Sequence, residues 1–407
     1  MKTLILTAGE QLEWAVDASK RAPVPEDEIR LHVSTALLTA VGGPAGINTA
    51  LANLGPLTVD RIVSSRPEDV QAEVHGTVDA YLLDFHVDAA GLLDDIQAAP
   101  NNPVPTSWAE IDSRLAGLAP RVSFAAAEIG ADGRCRVVHG VNQDVPRPLG
   151  SAFKLYVLGA LGKAVADGRA SWTEQLAIRD DWKSLDSDGL QQLPAGTELT
   201  LAAYADKMIS ASDNTATDHL IHRLGRDAVR RQFALFGNRQ VNVPLLSTKA
   251  LFELKAGAEY PARADAYLAL PREARPAAVE ELERLPLIGL GQWAQPRKID
   301  QVEWLGSPVD ICRALSGLQK ENQPEIGHAL SLYDGGLGSE FPTVWYKGGS
   351  EPGVLTMSYL VRSADDRTLA TSILLSNPDV PFDENHVSAW GSTIAKGAVR
   401  LLATLGS

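Results

Sequence analysis

Between positions 26 and 39, Ile29, Val33 and Leu37 recur on one face of a 3.6-residue period behind Pro25, a pattern that predicts a helix. A second helix is expected over 46–53, bounded by Gly43, Pro44 and Gly55. The period then changes to two. Val70, Ala72 and Val74 alternate with Gln71, Glu73 and His75, as in a half-buried strand, and Gly76-Thr77 turns the chain into another strand over 78–87. Helices followed by an antiparallel meander predict a small α+β domain. Pro100, Pro103 and Pro105 interrupt the stretch 99–107 and mark a linker, which divides the chain into a domain over 1–102 and a second over 103–407.

The second domain is expected to open with a short helix over 108–118, then strands near 121–129 and 134–140 joined by the turn Ala131-Asp132-Gly133-Arg134. From 151 to about 330 the pattern is mostly helical. Strands follow at 342–348, 354–362 and 368–375, and a closing helix at 385–404. Strands from both ends of the domain flank a long helical block. This predicts an antiparallel sheet assembled from the two ends, an all-helical subdomain beside it, and a cleft between them.

Composition narrows the partners. There are 37 Lys and Arg against 51 Asp and Glu, a net charge of −14. Phosphate backbones and anionic membranes select basic surfaces, so neither nucleic acid nor membrane is expected as a partner. No apolar run approaches the roughly 18 residues that a membrane-crossing helix needs. The two cysteines, Cys135 and Cys312, form no CxxC pair and cannot make a zinc site alone. Both are read as buried thiols rather than a disulfide. The apolar stretch before Glu10 is shorter than the ~7–15 residues of a secretory signal, so a cytoplasmic location is expected.

Three short motifs carry the candidate chemistry. Ser151-Ala152-Phe153-Lys154 opens an apolar helical run, which places Ser151 at a helix N-terminus where backbone N–H groups favour developing negative charge. Lys154 lies one turn on, on the same face. A serine hydroxyl is a weak nucleophile until a neighbouring base takes its proton, and a lysine in a dry cleft, its pKa lowered, can be that base. In Ser212-Asp213-Asn214, Ser212 suits proton relay to a leaving nitrogen, Asn214 suits holding a substrate amide, and Asp213 suits locking the turn through backbone N–H groups. In Lys347-Gly348-Gly349-Ser350 the cation attracts a substrate carboxylate and the glycines let substrate lie along a strand edge. The N–H groups of Ser350 and Ser151 would form an oxyanion hole. Each motif alone is common. Ser187-Asp188-Gly189, a decoy for the second, reads as a turn. The weight lies in three motifs in this order, each in a fitting context.

Residues 107–407 resemble the class A β-lactamase and penicillin-binding serine hydrolase superfamily, whose triplet is S-x-x-K, S-D-N and K-T-G or a near variant. Leu193-Pro-Ala-Gly-Thr-Glu-Leu-Thr200 and Met208-Ile-Ser-Ala-Ser-Asp-Asn-Thr-Ala-Thr217 extend the likeness. The resemblance implies that Ser151 is acylated, that Lys154 is the base, that Ser212 and Lys347 relay a proton and anchor substrate, and that Asn214, Gly348, Gly349 and Ser350 bind it. It implies a small-molecule β-lactam or ester substrate and no cofactor or metal. The two-domain plan resembles a branch associated with clavulanic acid biosynthesis, which joins a small NTF2-like, steroid isomerase-like domain to a β-lactamase-like one. A penicillin-binding D,D-peptidase and a retired binding or sensor protein are the alternatives.

Two departures stand out. Gly348 replaces the usual Thr of K-T-G, and no E-x-x-L-N stretch, which supplies the deacylating glutamate in class A enzymes, occurs in the chain. Glu253 and Glu259 read as surface helix carboxylates. The extra helical sequence over 260–300 is expected to reshape the cleft rim. His219 and His222 share a helix face with no third ligand in sight, and His75 and His86 read as strand-face residues. Arg362 reads as a surface ion pair. Of Trp345 and Tyr346, one is expected in the core and the other on the cleft wall, since strand neighbours face opposite sides.

Overall fold

The computed structural model describes residues 5–185, 189–238, 244–287 and 289–405. Contacts divide the chain into two compact units, Met1–Pro103 and Val104–Ser407. The decoy residues Ser187 and Asp188 lie outside the described residues.

In the first unit, helices α1 (Ala8–Arg21), α2 (Glu26–His32), α3 (Thr35–Ala40) and α4 (Pro44–Leu54) precede strands β1 (Thr58–Ser65), β2 (Asp69–His75), β3 (Ala80–Val87) and β4 (Leu93–Pro100). The strands pair as an antiparallel meander in sequence order. Val70, Ala72 and Val74 on β2 and Leu83, Phe85 and Val87 on β3 face a core shared with Leu12, Ala15 and Ile29. The helix expected over 26–39 is two helices. Val33 leaves the helical path to bridge Leu93, and the Ser34 hydroxyl accepts from the Leu37 N–H to cap α3. β4 runs through Ala99 and Pro100, so the start of the expected linker is a strand. Proline is tolerated there because β4 is the edge of the sheet. His75 pairs with Asp60 at 2.7 Å and His86 with Asp94 at 2.5 Å, both partly exposed.

The second unit contains, in chain order, α5 (Trp108–Leu118), β5 (Arg121–Ile129), β6 (Cys135–Val141), β7 (Arg147–Pro148), α6 (Lys154–Ala166), β8 (Gln175–Ala177), β9 (Glu198–Thr200), α7 (Leu201–Ser210), α8 (Asn214–Leu224), α9 (Arg226–Leu235), α10 (Thr248–Lys255), α11 (Ala262–Ala269), α12 (Arg275–Arg284), β10 (Leu305–Gly306), α13 (Pro308–Glu321), α14 (Pro324–Ser331), β11 (Thr343–Glu351), β12 (Val354–Arg362), β13 (Thr368–Ser376) and α15 (Glu384–Thr404). Its main sheet is antiparallel with the order β11-β12-β13-β5-β6, so strands from both ends of the unit do meet. One sheet face packs against α5 and α15 around Ile111, Phe124, Ile373 and Ile394, and the other meets the helical block. β12 and β13 are covered on both faces and are buried almost throughout, which is why their sequences are nearly continuous apolar runs. α6 is buried on every side, from Leu155 to Ala164, as an apolar-all-round helix must be.

Cys135 on β6 and Cys312 on α13 form a disulfide, with Cα atoms 6.2 Å apart. This corrects the reading of two buried thiols. The partners are 177 residues apart, and only the packing of α13 across the sheet brings them together. Closing so long a loop removes about 5 kcal/mol of unfolded-chain entropy in the simplest account. The double variant Cys135→Ser/Cys312→Ser is therefore expected to lose about 3–5 kcal/mol. The check is the urea midpoint, with reduced wild type giving a matching downward shift.

Candidate active site

β7 leads through Leu149 into a single tight helical turn, Gly150–Phe153, that runs straight into α6. Gly150 sits at φ +49°, the left-handed region that glycine adopts readily. This turn lies against β11 at very close range. A Cβ on Gly150 would fall 3.1 Å from Gly349 C and Ser350 N, and a Cβ on Gly349 would fall 2.4 Å from Leu149 O and 2.5 Å from Ser151 N. Two glycines therefore create the contact that sets the backbone amides of Ser151 and Ser350 side by side. Ser151 is half-buried, and its hydroxyl makes no hydrogen bond among the described residues.

Lys154, the first residue of α6, is wholly buried. Its ammonium nitrogen donates to Ser212 O at 2.5 Å and Asn214 Oδ1 at 2.8 Å, and lies 3.2 Å from Ser212 Oγ. Lys347 donates to the same Ser212 Oγ at 2.9 Å and to Gly348 O at 2.8 Å. Ser212 thus bridges two lysines from the strand side and the helix side. It is held at φ 55°, unusual for a residue with a side chain, in the turn between α7 and α8. Asp213 locks that turn by accepting from the N–H groups of Ala216 at 2.6 Å and Leu190 at 2.8 Å, which also caps α8. Burial lowers the Lys154 pKa to about 7. Burial, and then the neighbouring Lys154 charge, pushes Lys347 well below the ordinary lysine range.

Gly348 has a local reason. A Cβ there would lie 2.3 Å from the hydroxyl of Tyr346, its neighbour two residues back on the same face of β11. Tyr346 packs on Tyr359 and Tyr333. Trp345 packs on the other face against the helical block, close to Gly327. Both aromatics belong to cores, so neither forms the expected cleft wall.

The wall comes from elsewhere. A cavity of about 930 Å³ begins at Asn214 and Ser350 and is bounded by Phe252, Trp293 and Phe382, with Glu351 at its β11 side. α11 and α12 lie within 260–300, and the segment after them supplies Leu290 and Trp293 to the rim. No motif marks these wall residues, since three distant segments converge on them. Glu253 is not the surface carboxylate that its helix position predicts. It is buried and paired with Arg263 at 2.5 Å, because α10 turns it inward under α11, while Glu259 stays exposed. His219 uses both ring nitrogens on backbone: Nδ1 donates to Thr215 O at 2.7 Å and Nε2 accepts from the Arg179 N–H at 2.9 Å. Burial holds it neutral, its pKa lowered to about 4. Arg362 pairs with Asp366 and sits opposite Thr343, at the far end of β11 from Ser350.

A family model described as the β-lactamase enzyme family matches residues 110–270. Among solved structures, the β-lactamase from Sphaerobacter thermophilus is similar at 20% identity, covering 72% of this chain and 97% of that one, with a TM-score of 0.50. A structure of PBP-A is similar at 17% identity, over 74% of this chain and 100% of that one, also at 0.50. The TLA-3 extended-spectrum β-lactamase gives 14%, 74%, 98% and 0.50. No curated protein matches. The second unit accordingly has a β-lactamase-like fold, a mixed α/β arrangement of sheet and helices.

Proposed function

We propose that the second unit is a serine hydrolase that opens a β-lactam or ester carbonyl through an acyl-enzyme at Ser151. One observation carries the reading. A buried lysine with its pKa brought near neutrality stands one helical turn from a serine whose hydroxyl makes no hydrogen bond among the described residues, and a second serine links that lysine to another. In this scheme Lys154 takes the Ser151 proton as Oγ bonds to the carbonyl carbon. The Ser151 and Ser350 N–H groups stabilise the oxyanion. The C–N or C–O bond then breaks, and the leaving atom receives the proton by way of Ser212. Asn214 and Lys347 hold the amide and carboxylate of substrate. The chemistry needs no cofactor or metal. The helices-then-meander order of the first unit supports the NTF2-like reading, and its pairing with this fold supports the two-domain branch associated with clavulanic acid biosynthesis.

The deciding experiment is intact-protein mass spectrometry after mixing with benzylpenicillin. The expected result is a single covalent adduct of the antibiotic's mass; unmodified protein under saturating antibiotic rejects the reading. Because Lys154 must be neutral to accept a proton, the rate of adduct formation should rise about tenfold per pH unit below 7 and level off above it. A rate flat between pH 5 and 8 removes Lys154 from this role. The missing E-x-x-L-N glutamate favours a second reading, a protein that is acylated once and then holds its adduct.

A further inference from the structure

We propose that Glu351 is the base that releases acylated Ser151, taking the place of the glutamate that the chain lacks at an E-x-x-L-N stretch; this rests on Ser151 being the acylated residue. Along β11, side chains two apart share a face. Lys347 meets Ser212 on that face, and Gly349 backs onto the turn that carries Ser151. Glu351 is the next residue on the same face, about 7 Å beyond Gly349 along the strand. It borders the cavity together with Asn214 and Ser350.

Its surroundings are unlike those of a structural ion pair. Lys255, at the end of α10 and wholly buried, donates to Glu351 Oε1 at 2.5 Å and to Glu303 Oε2 at 3.2 Å. The remaining Glu303 oxygen accepts from the Trp304 N–H at 3.0 Å. Glu351 Oε2 is left buried and without a hydrogen-bond partner among the described residues. Two carboxyl groups share one ammonium, and a buried acceptor without a partner costs stability. Such a group suits an oxygen that must accept a proton from a small donor entering from the cleft. Burial raises the Glu351 pKa to about 8, so it trades protons near neutral pH. Among the neighbouring carboxylates, Glu253 also keeps one buried oxygen without a partner, but its other oxygen is held by Arg263 and it does not border the cavity. Glu303 is tied to Lys255, and Glu384 borders the cavity but lies exposed.

In the step, Glu351 removes one proton from water as the water oxygen bonds to the acyl carbon of the Ser151 ester. The tetrahedral intermediate collapses, the bond from carbon to Ser151 Oγ breaks, and Oγ leaves with its electron pair. Glu351 returns the proton to Oγ, so water and ester give carboxylic acid and free serine.

The test follows the formation and decay of the benzylpenicillin adduct by mass spectrometry in wild type, Glu351→Gln, Glu351→Asp and Glu303→Gln. Glu351→Gln is expected to acylate within about threefold of wild type and to hold its adduct about 100-fold longer or more, the usual scale of a lost general base. Glu351→Asp should restore part of the decay, and Glu303→Gln, which removes a charge that raises the Glu351 pKa, should move the decay profile to lower pH. An unchanged lifetime in Glu351→Gln, or a wild-type adduct that never decays, overturns the role of Glu351 while leaving Ser151 in place. No adduct on wild type overturns both. Should Glu351→Gln fail to fold, the wild-type pH profile decides. Lys255 from α10, Glu303 from the segment before β10 and Glu384 from α15 are the charges facing Glu351. Adduct decay should climb with pH through about 8 and level off above it, and a pH-independent decay overturns the proposal.

Discussion

Ser151→Ala is expected to abolish the benzylpenicillin adduct while leaving the fold intact. The hydroxyl makes no hydrogen bond among the described residues, so removing it strands no buried partner, and stability should change by no more than about 0.5 kcal/mol. The chemical loss should be complete in the adduct assay and at least about 10³-fold in hydrolysis of a chromogenic cephalosporin, as when a covalent nucleophile is removed. Thermal melts beside mass spectra separate the two effects. An adduct surviving on the alanine variant would place the nucleophile elsewhere and leave Lys154 without its partner.

Gly349→Ala is expected to cut acylation by about 10²–10³-fold, the scale seen when one oxyanion donor is lost. The new methyl carbon would lie 2.4 Å from Leu149 O and 2.5 Å from Ser151 N, and both are backbone atoms. Neither can swing aside as a flexible side chain would, so β11 and the turn must separate and the Ser151 and Ser350 amides must part. Overpacking of this kind costs about 1–3 kcal/mol. Gly291→Ala is the matched control: it also borders the cavity, but nothing lies within 4 Å of its added carbon. Equal acylation by the two variants would show that the close approach at Gly349 has no chemical consequence.

Much of this was legible in the residues, and what was missed has physical causes. The β12 and β13 strands, the 121–129 strand and the closing helix stood out because their apolar patterns are long and unbroken. β1 did not. It carries Val59, Ile62 and Val63 without alternation because the strand is irregular at two places, and every residue on it is exposed. β4 is largely polar at the sheet edge. α1 was missed although Thr7 and Glu10 form a capping box at its start, a signal that could have found it. At the site, the motif residues Lys154, Ser212, Asn214 and Lys347 meet through hydrogen bonds, and Gly349 meets the Ser151 turn by direct contact. The cavity wall, the disulfide and the Lys255–Glu303–Glu351 cluster each join segments far apart in the chain, and no spacing rule reaches that far.

Gly348 and Tyr346 carry a last consequence, for how the chain can change over time. With the tyrosine hydroxyl 2.3 Å from where any β-carbon at 348 would stand, position 348 cannot gain a side chain while Tyr346 stays where it is. Placing at 348 the threonine usual in such a motif requires the Tyr346 ring to move or a smaller residue to stand at 346. The two positions are therefore expected to covary, and a single-letter reversion made in the laboratory would be penalised until its companion is trimmed as well.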